Sequence, residues 1–215
     1  MRILFFDMEF ADGKVPGSVF SFGYVMTDGN FKIKTPPTDI LINPESTWTQ
    51  YVKRNILAYP IEQVNAAPNF AAHYKKIKKL FAKADVAVGF AVTNDTSALR
   101  RDCLRYHLAP IEYRYFDAEP VCRSLGDYPR AMGLAKCVQA WCGEIPAHQH
   151  RSDGDAYATM RLMEAMCKKK HVTIDMMMEA YPECCGSTSP KCKGAKKTNW
   201  LVSLFRRGNR RLPRN

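Results

Sequence analysis

The sequence has no long apolar run, although hydrophobic residues make up 46% of its 215 positions. A transmembrane helix needs about 20 consecutive, mostly apolar residues, and no stretch of this chain approaches that length. The apolar stretch at the N-terminus follows a single arginine and is too short for the hydrophobic region of a secretory signal. We therefore expect a globular, cytoplasmic protein with no transmembrane segment.

Paired cysteine motifs are also missing. The eight cysteines are irregularly spaced, and no two of them form a C-x-x-C pair. Without an export signal, free thiols in a reducing compartment are the default expectation. Cys184, Cys185 and Cys192 are near enough in sequence to share a zinc ion, but they lack the usual ligand spacing and a neighbouring histidine. The sequence leaves open whether these three bind a metal.

Acidic residues are absent from the C-terminal stretch Gly186–Asn215, which holds nine of the 32 lysines and arginines. The remaining 23 basic residues are nearly balanced by all 21 acidic ones, so most of the net charge of +11 lies in this tail. Such a tail suits a polyanion, nucleic acid first and an anionic membrane second, with a solubilising role as the alternative. The amphipathic, basic segment Trp200–Arg207 keeps membrane or partner binding open.

The sequence does contain a strand-like N-terminal stretch that ends in two carboxylates. The apolar run Ile3–Phe6 leads directly into Asp7 and Glu9, which is typical of a strand buried on both faces. Alternate residues of a strand point the same way, so Asp7 and Glu9 should project together. Two close carboxylates repel unless a cation lies between them, and Mg²⁺ or Mn²⁺ prefers such hard oxygen ligands. The alternative is a pair of ordinary surface carboxylates.

Turn residues and apolar spacing along the rest of the chain predict an α/β fold. A second strand over 19–26 and a third over 31–42 would form an antiparallel meander with the first, and Pro36 and Pro37 place the third strand at an edge or a bulge. Strands and helices then alternate. Helices are expected at 70–83, 96–107, 118–125, 131–141 and 153–169, and strands at 85–90 and 113–117. This order favours a mixed β-sheet, a three-strand antiparallel meander plus parallel strands, flanked by helices.

Further polar residues fall at the ends of these elements. Asp95 follows the strand at 85–90 just before a helix, and Asp155 lies in the first turn of the last long helix. Together with Asp7 and Glu9 they would supply the four carboxylates that two-metal phosphoryl chemistry needs. His150 lies in the loop before that helix, where a neutral imidazole can accept a proton from an attacking water.

Three stretches resemble the exonuclease motifs of the DEDDh family, which includes polymerase proofreading subunits and ribonuclease T. Phe6–Glu9 resembles the D-x-E motif, Val88–Asp95 the V-G-H-N-V-x-F-D-like motif, and His150–Ala156 the H-x4-D motif. Ala67–Phe70 and Tyr115–Ala118 resemble two further family segments. Each motif is weak alone, but the three occur in the family's order, and the resemblance runs from about residue 3 to residue 168.

The resemblance implies an RNase H-like fold, two Mg²⁺ or Mn²⁺ ions, and 3′→5′ hydrolysis of a nucleic acid strand. By this match Asp7, Glu9, Asp95 and Asp155 are metal ligands, and His150 is the general base. It also implies an exonuclease domain over residues 1–170, followed by a basic C-terminal extension over 171–215.

Some details of the motifs differ or allow a second alignment. Phe90 and Ala91 stand where the second motif usually has His-Asn. His148 with Asp153 also fits H-x4-D, although His150 with Asp155 places the following helix as the family has it. In the family, the positions of Met8 and Phe10 lie against the terminal sugar and base, where aromatic stacking contributes about 1–3 kcal/mol, so the resemblance implies that both residues contact the substrate. Phe10 is the better candidate, with a plain core role as the alternative.

The expected function is therefore metal-dependent 3′→5′ hydrolysis of a single-stranded DNA or RNA end. Two other functions stay open: a non-catalytic nucleic-acid-binding module of the same fold, and a protein that binds a membrane or a partner through its tail. Discrimination between DNA and RNA depends on contacts to the 2′-hydroxyl, which no motif here reports. The biological pathway and the oligomeric state are equally open.

Overall fold

A computed structural model of the chain describes residues 1–12, 17–147 and 149–189. His148, Cys192 and the segment Trp200–Arg207 lie outside the described residues. The strands are β1 (Arg2–Phe10), β2 (Val19–Asp28), β3 (Ile33–Leu41), β4 (Val86–Gly89), β5 (Arg114–Asp117) and β6 (Cys185–Ser187). The helices are α1 (Gln50–Asn55), α2 (Ile61–Asn65), α3 (Phe70–Lys83), α4 (Thr93–Arg105), α5 (Ala118–Gly126), α6 (Leu134–Cys142), α7 (Ser152–Lys170) and α8 (Ile174–Ala180), with a 3₁₀ turn at Pro182–Cys184.

The described strands form one mixed sheet in the order β3-β2-β1-β4-β5-β6. β1, β2 and β3 form the predicted antiparallel meander, while β1, β4 and β5 run parallel. β3, which carries Pro36 and Pro37, lies at one edge, where a missing backbone donor is tolerated. β6 pairs antiparallel with β5 at the other edge.

The residues of β1 alternate between two hydrophobic cores. Ile3 and Phe5 pack in a cluster with residues of α5 and α7, whereas Leu4 and Phe6 pack in a second cluster with residues of α3 and α4. The sheet is therefore covered by helices on both faces, which accounts for the uninterrupted apolar run at the start of β1. This position confirms the prediction of a central strand buried on both sides.

Local sequence signals fail at a few boundaries. α4 begins at Thr93, three residues before the predicted start at 96, so Asp95 lies within its first turn rather than before it. No side chain of the helix caps this N-terminus; the carboxylate of Asp117 accepts hydrogen bonds from the backbone of Ala91 and Val92. α8 and β6 were not expected, because a seven-residue helix and a three-residue strand are too short for a periodic pattern.

Two sequence expectations about the whole chain can be compared with the described residues. None of the helices in the described ranges is long and apolar enough to cross a membrane. All seven cysteines in those ranges are free thiols. Segment 171–189 contributes α8, the 3₁₀ turn and β6, and β6 extends the central sheet.

Candidate metal centre

The carboxyl end of β1 carries two of the predicted ligands. Asp7 and Glu9 are both half-buried and lie on the face of β1 that also carries Phe5. Across the sheet, Asp7 is opposite Gly23 of β2, and Gly23 is opposite Asp39 of β3. Gly23, which has no side chain, therefore lies between two carboxylates, Asp7 on one neighbouring strand and Asp39 on the other.

Helix α7 fills the space over Gly23. A Cβ atom on Gly23 would lie 1.8 Å from the carbonyl carbon of Ser152, so only glycine allows the helix to approach this closely. The hydroxyl groups of Ser152 and Ser21 form a hydrogen bond of 2.5 Å across the same contact. This packing brings the first turn of α7, and with it Asp155, to the end of β1.

His150 completes a cluster at this point. One potential ligand atom from each of Glu9, His150 and Asp155 lies within 4.8 Å of the other two. The backbone N–H of His150 donates a hydrogen bond of 3.0 Å to the carboxylate of Asp155. His150 is exposed and has a φ of +63°, so the chain turns sharply just before α7 begins.

Asp95 comes from the other helical layer and is not one of the three groups within 4.8 Å, but it lies near enough for its charge to raise the pKa of Asp7 and Glu9. It is buried in the first turn of α4, directly beyond the carboxyl end of β4, the parallel neighbour of β1. The turn before α4 is held by the carboxylate of Asp117, which accepts bonds of 2.9 Å from the Ala91 N–H and 3.2 Å from the Val92 N–H. Asp117 itself comes at the carboxyl end of β5.

Burial raises the pKa of all four carboxylates, and repulsion by other carboxylates of the four raises the pKa of Asp7 and Glu9 further. Desolvation is the largest cause in each case, followed for Asp7 by the charges of Asp95, Glu9 and Asp155. The pKa of Glu9 rises to about 8 and that of Asp155 to about 6, and the pKa of Asp95 is also well above its usual value. In the described part of the chain, no lysine or arginine forms an ion pair with any of the four.

This donor set fits divalent cations. Four carboxylates that no cationic side chain of the described residues neutralises are hard oxygen ligands of the kind that Mg²⁺ and Mn²⁺ prefer. Asp95 and Asp155 also lie in first turns of helices, where the helix dipole favours negative charge. The arrangement can therefore bind cations at the carboxyl end of the central strand β1, beside an exposed imidazole.

Two carboxylates near the cluster were not predicted from the sequence. Asp39 accepts hydrogen bonds from the hydroxyls of Ser21 and Tyr59, and its charge raises the pKa of both Asp7 and Glu9. Asp117 raises the pKa of Asp95 in the same way. The position of Asp117 at the end of a predicted strand was a usable signal, whereas the proline-interrupted strand around Asp39 offered none.

The two predicted substrate contacts differ in accessibility. Met8 is buried, with 3% of its surface exposed, and packs in the core cluster on the face of β1 opposite Asp7. Phe10 is half-buried and packs at the margin of the same cluster. A contact between either side chain and a terminal nucleotide stays a prediction.

No family model matches the sequence, and no curated protein matches it. Solved structures do match. The zinc-bound complex of E. coli exonuclease I with single-stranded DNA has a TM-score of 0.68 at 19% identity, over 83% of this chain and 43% of that one. E. coli exonuclease I in complex with a 5cy-dT13 oligonucleotide has a TM-score of 0.68 at 18% identity, over 85% and 44%.

A second kind of exonuclease matches over more of its own length. A 3′-exonuclease, in a structure of 3′-end-specific recognition of the histone mRNA stem-loop, has a TM-score of 0.65 at 12% identity, over 90% of this chain and 72% of that one. The chain spans less than half of the exonuclease I chains that it matches. These likenesses confirm the α/β, RNase H-like fold that the motif resemblance implied.

Proposed function

We propose that this protein is a metal-dependent exonuclease that hydrolyses phosphodiester bonds from the 3′ end of a DNA or RNA strand. The observation that carries the proposal is the convergence of Asp7, Glu9, Asp95 and Asp155 from three separate stretches of the chain. Their pKa values are raised by burial, and for Asp7 and Glu9 also by the neighbouring carboxylates. The likeness in fold to solved exonucleases supports the same conclusion.

The four carboxylates would hold two Mg²⁺ or Mn²⁺ ions. Ions bound there would activate the attacking water at neutral pH and neutralise the developing charge on the leaving oxygen. Three features support this ligand set: β1 carries Asp7 and Glu9, the turn bound by Asp117 precedes Asp95, and α7, which carries Asp155, packs on Gly23.

His150 would act as the general base. An exposed imidazole beside Glu9 and Asp155 can accept a proton from the attacking water and release it to solvent. The hydrogen bond from the His150 backbone to Asp155 ties the position of the base to that of a metal ligand.

A single-stranded 3′ end is the proposed substrate. Solved neighbours were determined with single-stranded DNA and with a histone mRNA stem-loop, so both DNA and RNA belong in the first assay. Residues 190–215 lie outside the described residues, and a contact between this basic tail and the nucleic acid stays a prediction.

The test is hydrolysis of 5′-labelled single- and double-stranded DNA and RNA, with Mg²⁺ or Mn²⁺, by wild type and by the variants Asp7→Asn and Asp85→Asn. A 3′→5′ exonuclease gives a ladder of progressively shorter labelled products. Asp7→Asn removes one charge from the cluster and should abolish the ladder. Asp85→Asn is the matched control, because Asp85 is exposed and accepts a bond from the Arg2 backbone at the other end of the sheet.

Two results would contradict the proposal. Wild-type protein that binds the labelled strands without shortening them would indicate a non-catalytic nucleic-acid-binding module. Hydrolysis by Asp7→Asn at the wild-type rate would show that the carboxylate cluster is not the active site.

A further inference from the structure

A groove of about 750 Å³ lies beside α4, outside the carboxylate cluster. One wall is formed by residues of α4 between Thr96 and Leu104, and the other by residues 110–113, Tyr115, Ser187 and Thr188. The hydroxyl of Thr188 donates to the backbone carbonyl of Ile111, which holds the second wall together. We call this feature the α4 groove.

The α4 groove carries uncompensated positive charge. Arg100 and Arg101 are exposed on its α4 wall and form no hydrogen bond or ion pair with any described residue. Arg105, on the same helix, differs, because its guanidinium donates to backbone carbonyls such as that of Pro44 and is fixed. Glu112 is the one carboxylate among the groove-lining residues. Two exposed arginines against one carboxylate suit an anionic ligand.

The α4 groove also offers flat and apolar surface. The side chain of Leu104 is 57% exposed, which is unusual for a leucine on a helix that packs against a sheet. Tyr115 is half-buried beside Tyr113, with ring centroids 6.4 Å apart, and both rings line the groove. Basic residues that follow a phosphate backbone, combined with aromatic rings that stack on bases, are typical of single-strand nucleic acid sites.

The groove and the proposed ligand Asp95 share one helix, α4. Thr96, its first residue on α4, directly follows the proposed ligand Asp95. At 1.5 Å per residue, α4 leads from Asp95 to Leu104 over about 13 Å. That distance corresponds to about four nucleotides at the 3.4 Å spacing of a stacked strand.

We propose that the α4 groove binds the part of a single-stranded nucleic acid that precedes its 3′-terminal nucleotide. Arg100 and Arg101 contact phosphates, and the apolar and aromatic surface around Leu104 and Tyr115 contacts bases. The direction of the strand, with its 3′ end at Asp95, rests on the proposed function.

The test measures binding of a fluorescent 12-nucleotide single strand to the full-length protein in EDTA, by anisotropy, at several salt concentrations. The double variant Arg100→Gln with Arg101→Gln should bind roughly tenfold or more weakly at 0.1 M salt. Each lost phosphate contact lowers the slope of log K against log salt by about 0.7, so the double variant should lose about 1.4. Arg123→Gln with Arg130→Gln is the matched control, because it removes two exposed arginines at and beyond α5, in the opposite helical layer.

The outcomes separate this inference from the proposed function. Equal affinities and equal salt slopes for wild type and the groove variant would contradict nucleic acid binding in the α4 groove, even if the wild type hydrolyses 3′ ends. An equal loss in the Arg123 and Arg130 control would overturn it as well, because the effect would then be one of net charge. Selective loss in the groove variant, with no hydrolysis under any condition, would support the groove and contradict the exonuclease proposal.

Discussion

At the scale of single residues, His150 combines two features that make its role testable. Its imidazole is exposed beside Glu9 and Asp155, and its backbone N–H donates to Asp155. Since a ligand atom of His150 lies within 4.8 Å of both carboxylates, a metal ligand is the competing role for the same side chain. Replacement by asparagine removes the base and keeps a residue that tolerates the φ of +63°.

His150→Asn is expected to lower kcat by about 10²–10⁴-fold, which is the usual contribution of a general base. The concentration of Mg²⁺ needed for half-maximal activity should stay unchanged. A parallel loss of Mg²⁺ affinity would instead assign His150 to the metal. His148→Asn is the matched comparison, because His148 is the alternative in the H-x4-D motif. A larger loss of kcat in His148→Asn than in His150→Asn would show that the motif is formed by His148 and Asp153.

Ala91 is strained in the native backbone. Its φ is +56°, in the left-handed region that costs most L-residues about 1–2 kcal/mol, and its N–H is bound by Asp117. The exonuclease motif that this stretch resembles usually has asparagine at this position, and asparagine adopts the left-handed region more readily. The sequence alone could show the substitution but not its conformational cost.

Ala91→Asn is therefore expected to stabilise the protein by up to about 1 kcal/mol. For a chain of this size that corresponds to a rise in Tm of about 2–4 °C, measured by thermal unfolding. Ala91→Val is the control at the same site, because a β-branched residue tolerates this φ least and should lower the Tm. A lower Tm for Ala91→Asn would show that backbone strain at this position does not dominate the change in stability.

The residues of the metal centre could be predicted from the sequence to different degrees. Asp7, Glu9, Asp95, Asp155 and His150 could be selected because they stand in recognisable motifs at the ends of predicted elements. The roles of Asp39 and Gly23 could not be predicted, since each depends on a partner that is distant in sequence and near only in the fold. Asp117 stands at the end of a predicted strand, but its hydrogen bonds to the turn before α4 depend on the fold in the same way. Strand register, in particular, places Gly23 opposite Asp7.

At the scale of elements, the contact between β2 and the start of α7 determines the position of Asp155. α7 packs on β1, β2 and β3, and its first turn lies directly against Gly23. The backbone of Ser152 occupies the place where a side chain at Gly23 would be. A small change in β2 therefore acts on the metal centre without touching a proposed ligand.

Gly23→Ala is expected to destabilise the protein by about 3 kcal/mol, at the upper end of ordinary overpacking, because a backbone group must move. The Tm should fall by about 6–12 °C, and hydrolysis should fall further than the unfolded fraction explains. Gly29→Ala is the control: its added Cβ would meet the Met1 side chain at 3.8 Å, which is ordinary contact. Equal Tm values for Gly23→Ala and Gly29→Ala would show that α7 can move away from β2 with little loss of stability.

Elements with a long apolar period were predictable, and those held by tertiary contacts were not. α3 matches its predicted range because its buried residues recur at helical spacing and Asn69 caps its first turn. The start of α4 depends on a carboxylate from β5, and β6 depends on pairing with β5. Neither contact leaves a local signal in the sequence.

At the scale of the whole molecule, the carboxylate cluster makes folding depend on pH and on metal. The pKa of Glu9 is about 8 in the folded protein against an ordinary 4.5, and that of Asp155 is about 6 against 3.8. At pH values between the ordinary and the raised pKa of each group, the folded chain binds more protons than the unfolded chain. The free energy of unfolding therefore falls as the pH rises through this range. These groups stabilise the fold fully below pH 4 and lose that contribution up to about pH 8.

Without metal, this contribution should therefore lower the Tm progressively from pH 5.5 to pH 8.5, as measured by thermal unfolding in EDTA. Mg²⁺ should reverse the trend, because a cation binds only the ionised carboxylates and stabilises the state that it binds. The increase in Tm on adding Mg²⁺ should thus be larger at pH 8 than at pH 6. The double variant Glu9→Gln with Asp155→Asn removes two of the four carboxyl groups whose pKa is raised, so its Tm should vary less with pH in EDTA than that of the wild type and respond little to Mg²⁺. A wild-type response to Mg²⁺ that is equal at both pH values, or a variant that keeps the wild-type pH dependence, would contradict a metal centre formed by these carboxylates.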